Sequence, residues 1–167
     1  MQLVIHDLSS QQWNQIGGSN KDMVVVDHSG TIKKCIGCFG CWVKTPGKCI
    51  IADDYQKVVG LIAQADELII VSRCTFGSYS SFVTNVVNRS IGYILPFFQM
   101  KQGEMHHKPR YTEHQLKMSA YFYGEDITKE EKETAAQLVR ANAVNFNAQV
   151  KEITFVKEIE KLKGMMA

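Results

Sequence analysis

A sheet with helices on both faces is the fold class this sequence predicts, and three observations carry that α/β reading. Short apolar runs rich in Val and Ile recur along the chain, amphipathic helical patterns fall between them, and Gly, Ser and Asp mark the joins. Strands alternating with helices pair in parallel through right-handed crossovers. Hydrophobic residues make up 45% of 167 positions and charged residues 22%, which supports one doubly wound domain, 1–167, with a real core.

Five strands are predicted. Gln2 to Asp7 is short and apolar, and Met23 to Asp27 is a β-branched run suited to burial on both faces. Glu67 to Ser72, Leu116 to Tyr123 and Val150 to Val156 complete the set. Between the first two, Ser9 or Ser10 caps a brief helix through Trp13 and Ile16, ended by Gly17-Gly18. Asp53 or Asp54 caps a helix carrying Val58, Val59, Ile62 and Ala65. Ser78 to Ser81 opens another, with Phe82, Val83, Val86, Val87 and Ile91 on one face, stopping near Pro96. Thr128 and Glu131 form a capping box before a long helix with Ala135, Leu138, Val139, Ala143 and Phe146 inward. Residues 27–54 read as a cysteine-rich loop, 97–115 as a polar excursion and 157–167 as a charged tail.

Charge excludes some partners. Lys plus Arg is 19 and Asp plus Glu is 17, so the net +2 gives no reason to expect nucleic acid or an anionic membrane. No apolar run reaches a bilayer span, and MQLVIHDL lacks the basic start and cleavage site of a secretory leader. Five cysteines, an odd number with four clustered, point to a cytoplasmic chain with free or ligated thiols.

That cluster is the most specific feature. Cys35, Cys38, Cys41 and Cys49 are spaced C-x2-C-x2-C-x7-C. The compact spacing with Gly37, Gly40 and Gly47 suits four ligands around a [4Fe-4S] cubane. A structural zinc usually takes two separated C-x2-C pairs. A metal-free thiol loop, or a labile disulfide, steadied by Trp42 and the Thr45-Pro46-Gly47 turn, is the third reading. His106, His107 and His114 have no carboxylate at ligand spacing and read as a surface or inter-subunit loop, and Arg89 reads as a helix-surface ion pair.

The run CIGCFGCWVKTPGKCIIADD, followed by ADELIIVSRCTFGSYSSFVTNVVNRS and ILPFF, resembles the flavodoxin-like NAD(P)H-dependent FMN reductases, in particular their iron–sulfur flavoprotein branch and its cluster-free relatives. The resemblance implies a flavodoxin-like five-stranded sheet of order 2-1-3-4-5, bound FMN, NAD(P)H as co-substrate, a small-molecule or protein electron acceptor, and a homodimer or homotetramer. It places the FMN phosphate at Ser9, Ser10 and Gln11, although the segment between the first two strands is much shorter than the family's, lacks a turn glycine and carries Asp7. It places the isoalloxazine against Cys74, Thr75, Phe76, Gly77, Ser78 and Tyr79, with Gly124 beside its other face. The expected function is an FMN-dependent oxidoreductase. The alternative is a flavodoxin-like subunit that has lost flavin and acts as an assembly or electron-transfer partner. The apolar stretch Ile94 to Met100 is the expected dimer patch.

Overall fold

The computed structural model describes residues 1–17, 22–101, 103–113 and 115–165. In chain order the elements are β1 (Gln2–His6), α1 (Ser10–Gln15), β2 (Met23–Val26), α2 (Gly40–Val43), α3 (Val58–Gln64), β3 (Glu67–Arg73), α4 (Ser81–Arg89), β4 (Ile94–Lys101), β5 (Glu104–Pro109), β6 (Leu116–Tyr123), α5 (Lys129–Asn145) and β7 (Ala148–Val156). Among the described residues, five of the seven strands form one parallel sheet in the order β2-β1-β3-β6-β7, which is 2-1-3-4-5 when only its own strands are counted.

Both faces of this sheet are covered, so its central strands read as unbroken apolar runs. Leu3, Ile5, Leu68, Ile70, Met118, Ala120 and Phe122 face α3, α4 and α5, in one core with Val59, Ile62, Val83, Val86, Ala135 and Val139. The alternate residues Val4, Ile69, Val71 and Tyr121 face the other way, onto Leu8, Trp13, Ile16 and Leu162. That second layer is thin. It consists of the six-residue α1 and a 3-10 turn at Ile159–Leu162, so the expected charged tail contributes a fully buried leucine.

Four boundaries differ from expectation. The predicted excursion contains an antiparallel hairpin, β4 paired with β5, shifted in register where Pro96 removes a ladder donor. Its strands alternate poorly because much of the hairpin is exposed, and it turns at Gly103 with φ +82°. Neither Asp53 nor Asp54 caps α3, whose first turn follows Lys57; Asp53 instead accepts the Tyr55 N–H at 3.1 Å and faces α4. α4 ends at Arg89, and a 3-10 turn over Ile91–Tyr93 leads to β4, so the helix stops before Pro96 is reached. β7 begins at Ala148, two residues earlier than predicted. The caps at Ser9, Ser80 and Thr128 form as their residue types dictate. Gly18 lies outside the described residues, while Gly17 takes the left-handed conformation, φ +72°.

Phe122 ties the layers together. It is fully buried and stacked between Tyr79 and Phe155, with ring centroids 5.4 and 5.2 Å apart. Phe122→Ala is expected to lower stability by about 3–5 kcal/mol in urea unfolding; a loss below about 1 kcal/mol contradicts this packing.

Candidate functional site

Parallel sheets of this order present ligands with the loops beyond the carboxyl ends of the strands. Here β1, β3 and β6 deliver three such loops, and the cysteine loop leaves the end of β2.

The loop after β1 is closed on itself. Ser9 N–H donates to Gln12 Oε1 at 2.9 Å, and Gln12 N–H donates to Ser9 Oγ at 3.3 Å. Two of the donors that would greet a phosphate thus serve a capping box, and Ser10 and Gln11 are exposed on the short α1. Asp7 sits at the mouth. Its carboxylate accepts the Arg73 N–H at 2.9 Å, the Tyr123 hydroxyl at 3.0 Å and the Ser72 hydroxyl at 3.5 Å, lacing the ends of β1, β3 and β6 together. Burial, with Asp7 adding to it, pushes the Tyr123 phenol up. A phosphate dianion here would meet a fixed carboxylate. These residues do not fit an FMN phosphate cradle.

Sequence reasoning missed His6. It is 1% exposed and stacked on Trp13, with ring centroids 4.1 Å apart. Neither ring nitrogen has a hydrogen-bond partner among the described residues. Desolvation lowers its pKa from 6.5 to about 4, against the pull of Asp27 and Asp7.

The loop after β3 is a tight two-residue turn. Thr75 and Ser78 exchange backbone hydrogen bonds at 2.9 Å, and the central Phe76 and Gly77 are both left-handed, φ +51° and +72°. At Gly77 a Cβ would come within 2.8 Å of Thr134 on α5, so no larger residue fits. Phe76 is 91% exposed, an aromatic face offered to solvent from strained backbone. Tyr79 is not available for stacking on a ligand: it is buried against Phe122, its hydroxyl accepts from Asn142, and burial pushes its pKa up to about 12. The Cys74 N–H donates to Tyr123 O and the Gly124 N–H to Val156 O, so both residues join strands. Burial raises the half-buried Cys74 thiol.

Between this turn and the cysteine loop lies a polar groove of about 440 Å³, lined by Lys34, Cys35, Thr75, Ser78, Tyr79 and the Ser81, Thr84, Asn85 and Asn88 side of α4. The structure therefore brings Thr75, Ser78 and Tyr79 together with Cys35, a pairing the sequence did not suggest.

Arg89 organises the cysteine loop. It is 2% exposed, not the surface residue expected. Nη1 donates to Asp53 Oδ2 at 2.6 Å and to Lys33 O at 2.8 Å; Nη2 donates to Asp53 Oδ1 at 2.9 Å and to Ile51 O at 3.3 Å. Nε donates to Cys49 Sγ at 3.1 Å. The bidentate fork holds the Asp53 carboxyl down at about 2. Nearby, Asn85 accepts the Cys35 N–H and donates to Lys33 O. The Trp42 indole N–H donates to Ile94 O and Ile91 O.

Cys35 and Cys38 are exposed; Cys41 and Cys49 are buried. All four line one apolar cavity of about 40 Å³, together with Arg89. Burial, with Cys49 next, pushes the Cys41 thiol up. Among the described residues no three His, Cys, Asp or Glu side chains are placed to hold a metal ion, so the thiols ring a cavity without meeting at a point. The residues as they stand form no zinc site, and their placement lends no support to a [4Fe-4S] cluster. Of the histidines, His107 Nδ1 lies 2.8 Å from Leu95 O, its ring is set between Trp42 and Phe98, and His106 meets Glu104 at 3.3 Å. His114 lies outside the described residues.

No protein-family model matches the chain, and no curated protein matches it. Solved structures do. General stress protein 14 from Treponema denticola, in complex with FMN, has a TM-score of 0.54 at 13% identity, covering 97% of this chain and 92% of that one. The Trp repressor binding protein from Bacillus subtilis has 0.54 at 12%, covering 95% and 84%. An NADPH-quinone reductase from P. pentosaceus has 0.51 at 11%, covering 93% and 83%. At such identities the likeness establishes the flavodoxin-like fold and no more. No helix among the described residues is long and apolar enough to cross a membrane.

Asp53→Asn would leave Arg89 charged, buried and half-partnered. The expected loss is about 3–5 kcal/mol in denaturant unfolding, with faster labelling of Cys41 and Cys49 by a thiol reagent. Unchanged stability and labelling would contradict the role given to the pair.

Acid acts through both buried groups. His6 has a folded pKa below its unfolded value, so its contribution is complete above pH 6.5 and is lost as pH falls toward 4. Asp53 behaves the same way lower down, between 3.8 and about 2. His6→Phe is expected to flatten the upper window, worth on the order of 3 kcal/mol, and leave the lower one. An unaltered profile above pH 4 in that variant would refute the assignment.

Proposed function

We propose that the chain is a redox protein of the flavin-oxidoreductase class that takes its isoalloxazine as an exchangeable partner, held by the ring and not by the phosphate. The observation that carries this reading is the polar groove beside the Thr75–Ser78 turn, next to a β1 loop whose donors are already engaged and whose mouth is anionic. Support comes also from the fold, shared with an FMN complex and with an NADPH-quinone reductase.

The chemistry follows from what the residues offer. The isoalloxazine supplies one- or two-electron exchange, with NAD(P)H or a reduced carrier as donor and a small molecule or partner protein as acceptor. The chain's own part is to seat the ring. Ser78, Thr84, Asn85 and Asn88 present hydroxyl and amide groups along the groove, and the exposed Phe76 of the neighbouring turn offers an aromatic face. No acid or base is required at the ring. The exposed Phe97, Phe98, Met100 and Met105 on the β4–β5 hairpin are the face through which a homodimer or homotetramer would form.

Asp7 favours a second reading, the flavin-free partner subunit, because its three hydrogen bonds close the phosphate side without any ligand. Fluorescence titration separates the two. The ring-held reading expects riboflavin and FMN to bind with dissociation constants within about threefold of each other, since the phosphate adds no contact. FMN binding more than about tenfold tighter overturns it. Quenching by neither flavin leaves the partner-subunit reading.

A further inference from the structure

The cysteine loop faces two environments. Its outer thiols, Cys35 and Cys38, are exposed, and its inner thiols, Cys41 and Cys49, are buried beside Arg89. Cys35 lines the small apolar cavity and also the polar groove. We propose that Cys35 and Cys38 form a dithiol–disulfide exchange site, and that the groove seats a small disulfide carrying peptide-like amides and carboxylates. This inference stands on the geometry of the loop and does not depend on flavin binding.

Three observations support it. The spacing is C-x2-C, and Gly37, left-handed at φ +64°, turns the chain between the two sulfurs. Asn85 fixes the backbone of the attacking residue by accepting the Cys35 N–H at 3.3 Å while its own amide reaches Lys33 O at 3.5 Å. The groove then offers Ser78, Ser81, Thr84 and Asn88 to amides and Lys34 to a carboxylate, and none of its lining residues is acidic. A ligand with both groups finds partners along one wall, with its sulfurs at the Cys35 end.

The exchange balances without any further reagent. The Cys35 thiolate attacks one sulfur of R–S–S–R, forming Cys35–S–S–R and releasing R–S⁻. Cys38 loses its proton and attacks the Cys35 sulfur, and the second R–S⁻ leaves. Two cysteine thiols are oxidised to one disulfide, and one small disulfide is reduced to two thiols that take up the two protons. The reverse direction charges the site from an external dithiol. Cys41 and Cys49 lie behind this pair and stay out of reach of the bulky ligand.

The test uses the full chain, reduced and handled without air, with oxidised glutathione as the probe and cystamine as a cationic control. Cys38→Ser is expected to trap one mixed disulfide, mapped by peptide mass spectrometry to Cys35, while the wild type passes on to a Cys35–Cys38 disulfide. Cys35→Ser is expected to abolish both. Lys34→Glu is expected to slow the reaction with glutathione disulfide about tenfold and leave cystamine no slower. Cys35 and Cys38 are exposed residues, and circular dichroism checks that the serine variants retain the fold. Glutathione spread evenly over the cysteines, or carried by Cys74, overturns the proposal. So does a Cys35→Ser variant that reacts like the wild type. Protein isolated with iron or zinc on these sulfurs, and inert to the probe, overturns it as well.

Discussion

The Arg89–Asp53 pair is the constraint on which the rest of the site depends. One buried guanidinium satisfies a carboxylate, two backbone carbonyls and a sulfur, drawing residues 33, 49, 51 and 53 onto the end of α4. A buried ion pair adds little net stability over an apolar replacement, because desolvation offsets most of the attraction. Its value lies in geometry: a long loop with little secondary structure acquires one shape. Once α4 holds that loop, Cys35 lies on the same groove as the Thr75–Ser78 turn, and both pairs of thiols close on one cavity.

The carboxyl edge of the sheet shows the opposite tendency. This chain laces the ends of its strands together through Asp7 and packs a stacked His6 and Trp13 beside them. A six-residue α1 cannot offer the long N-terminal turn that an anion prefers. This edge therefore forms no phosphate cradle, and the groove lies instead between the Thr75–Ser78 turn and the cysteine loop.

Much of this was legible from the residues. Glu67–Ser72 stood out because burial on both faces leaves a continuous apolar run, whereas the equally apolar Met23–Val26 forms an edge strand with Val25 exposed, not the doubly buried strand expected; the three caps followed from their side chains. The hairpin did not stand out, because Phe97, Phe98, Met100 and Met105 are exposed and its faces never alternate cleanly. Arg89 was misread because its partner lies 36 positions away, beyond any local pattern. A signal was present all the same: Arg89 continues the three-residue spacing of Val83 and Val86, which marks the buried side of α4. Tyr79 belonged to an attractive loop, yet its position opposite Phe122 depends on how α4 and α5 pack, which spacing does not report. The burial of His6 was equally hidden, since a histidine at a strand end ordinarily reaches water.

The central claim is that the working surface lies between the Thr75–Ser78 turn and Cys35, with the β1 loop taking no part. Amide chemical-shift mapping with FMN and with riboflavin tests it most directly. The account predicts shifts for both ligands at Thr75 to Tyr79, Cys35 and Asn85, and none specific to FMN at Ser9 to Gln12. Shifts at Ser9 to Gln12 that appear with FMN and vanish with riboflavin would contradict it.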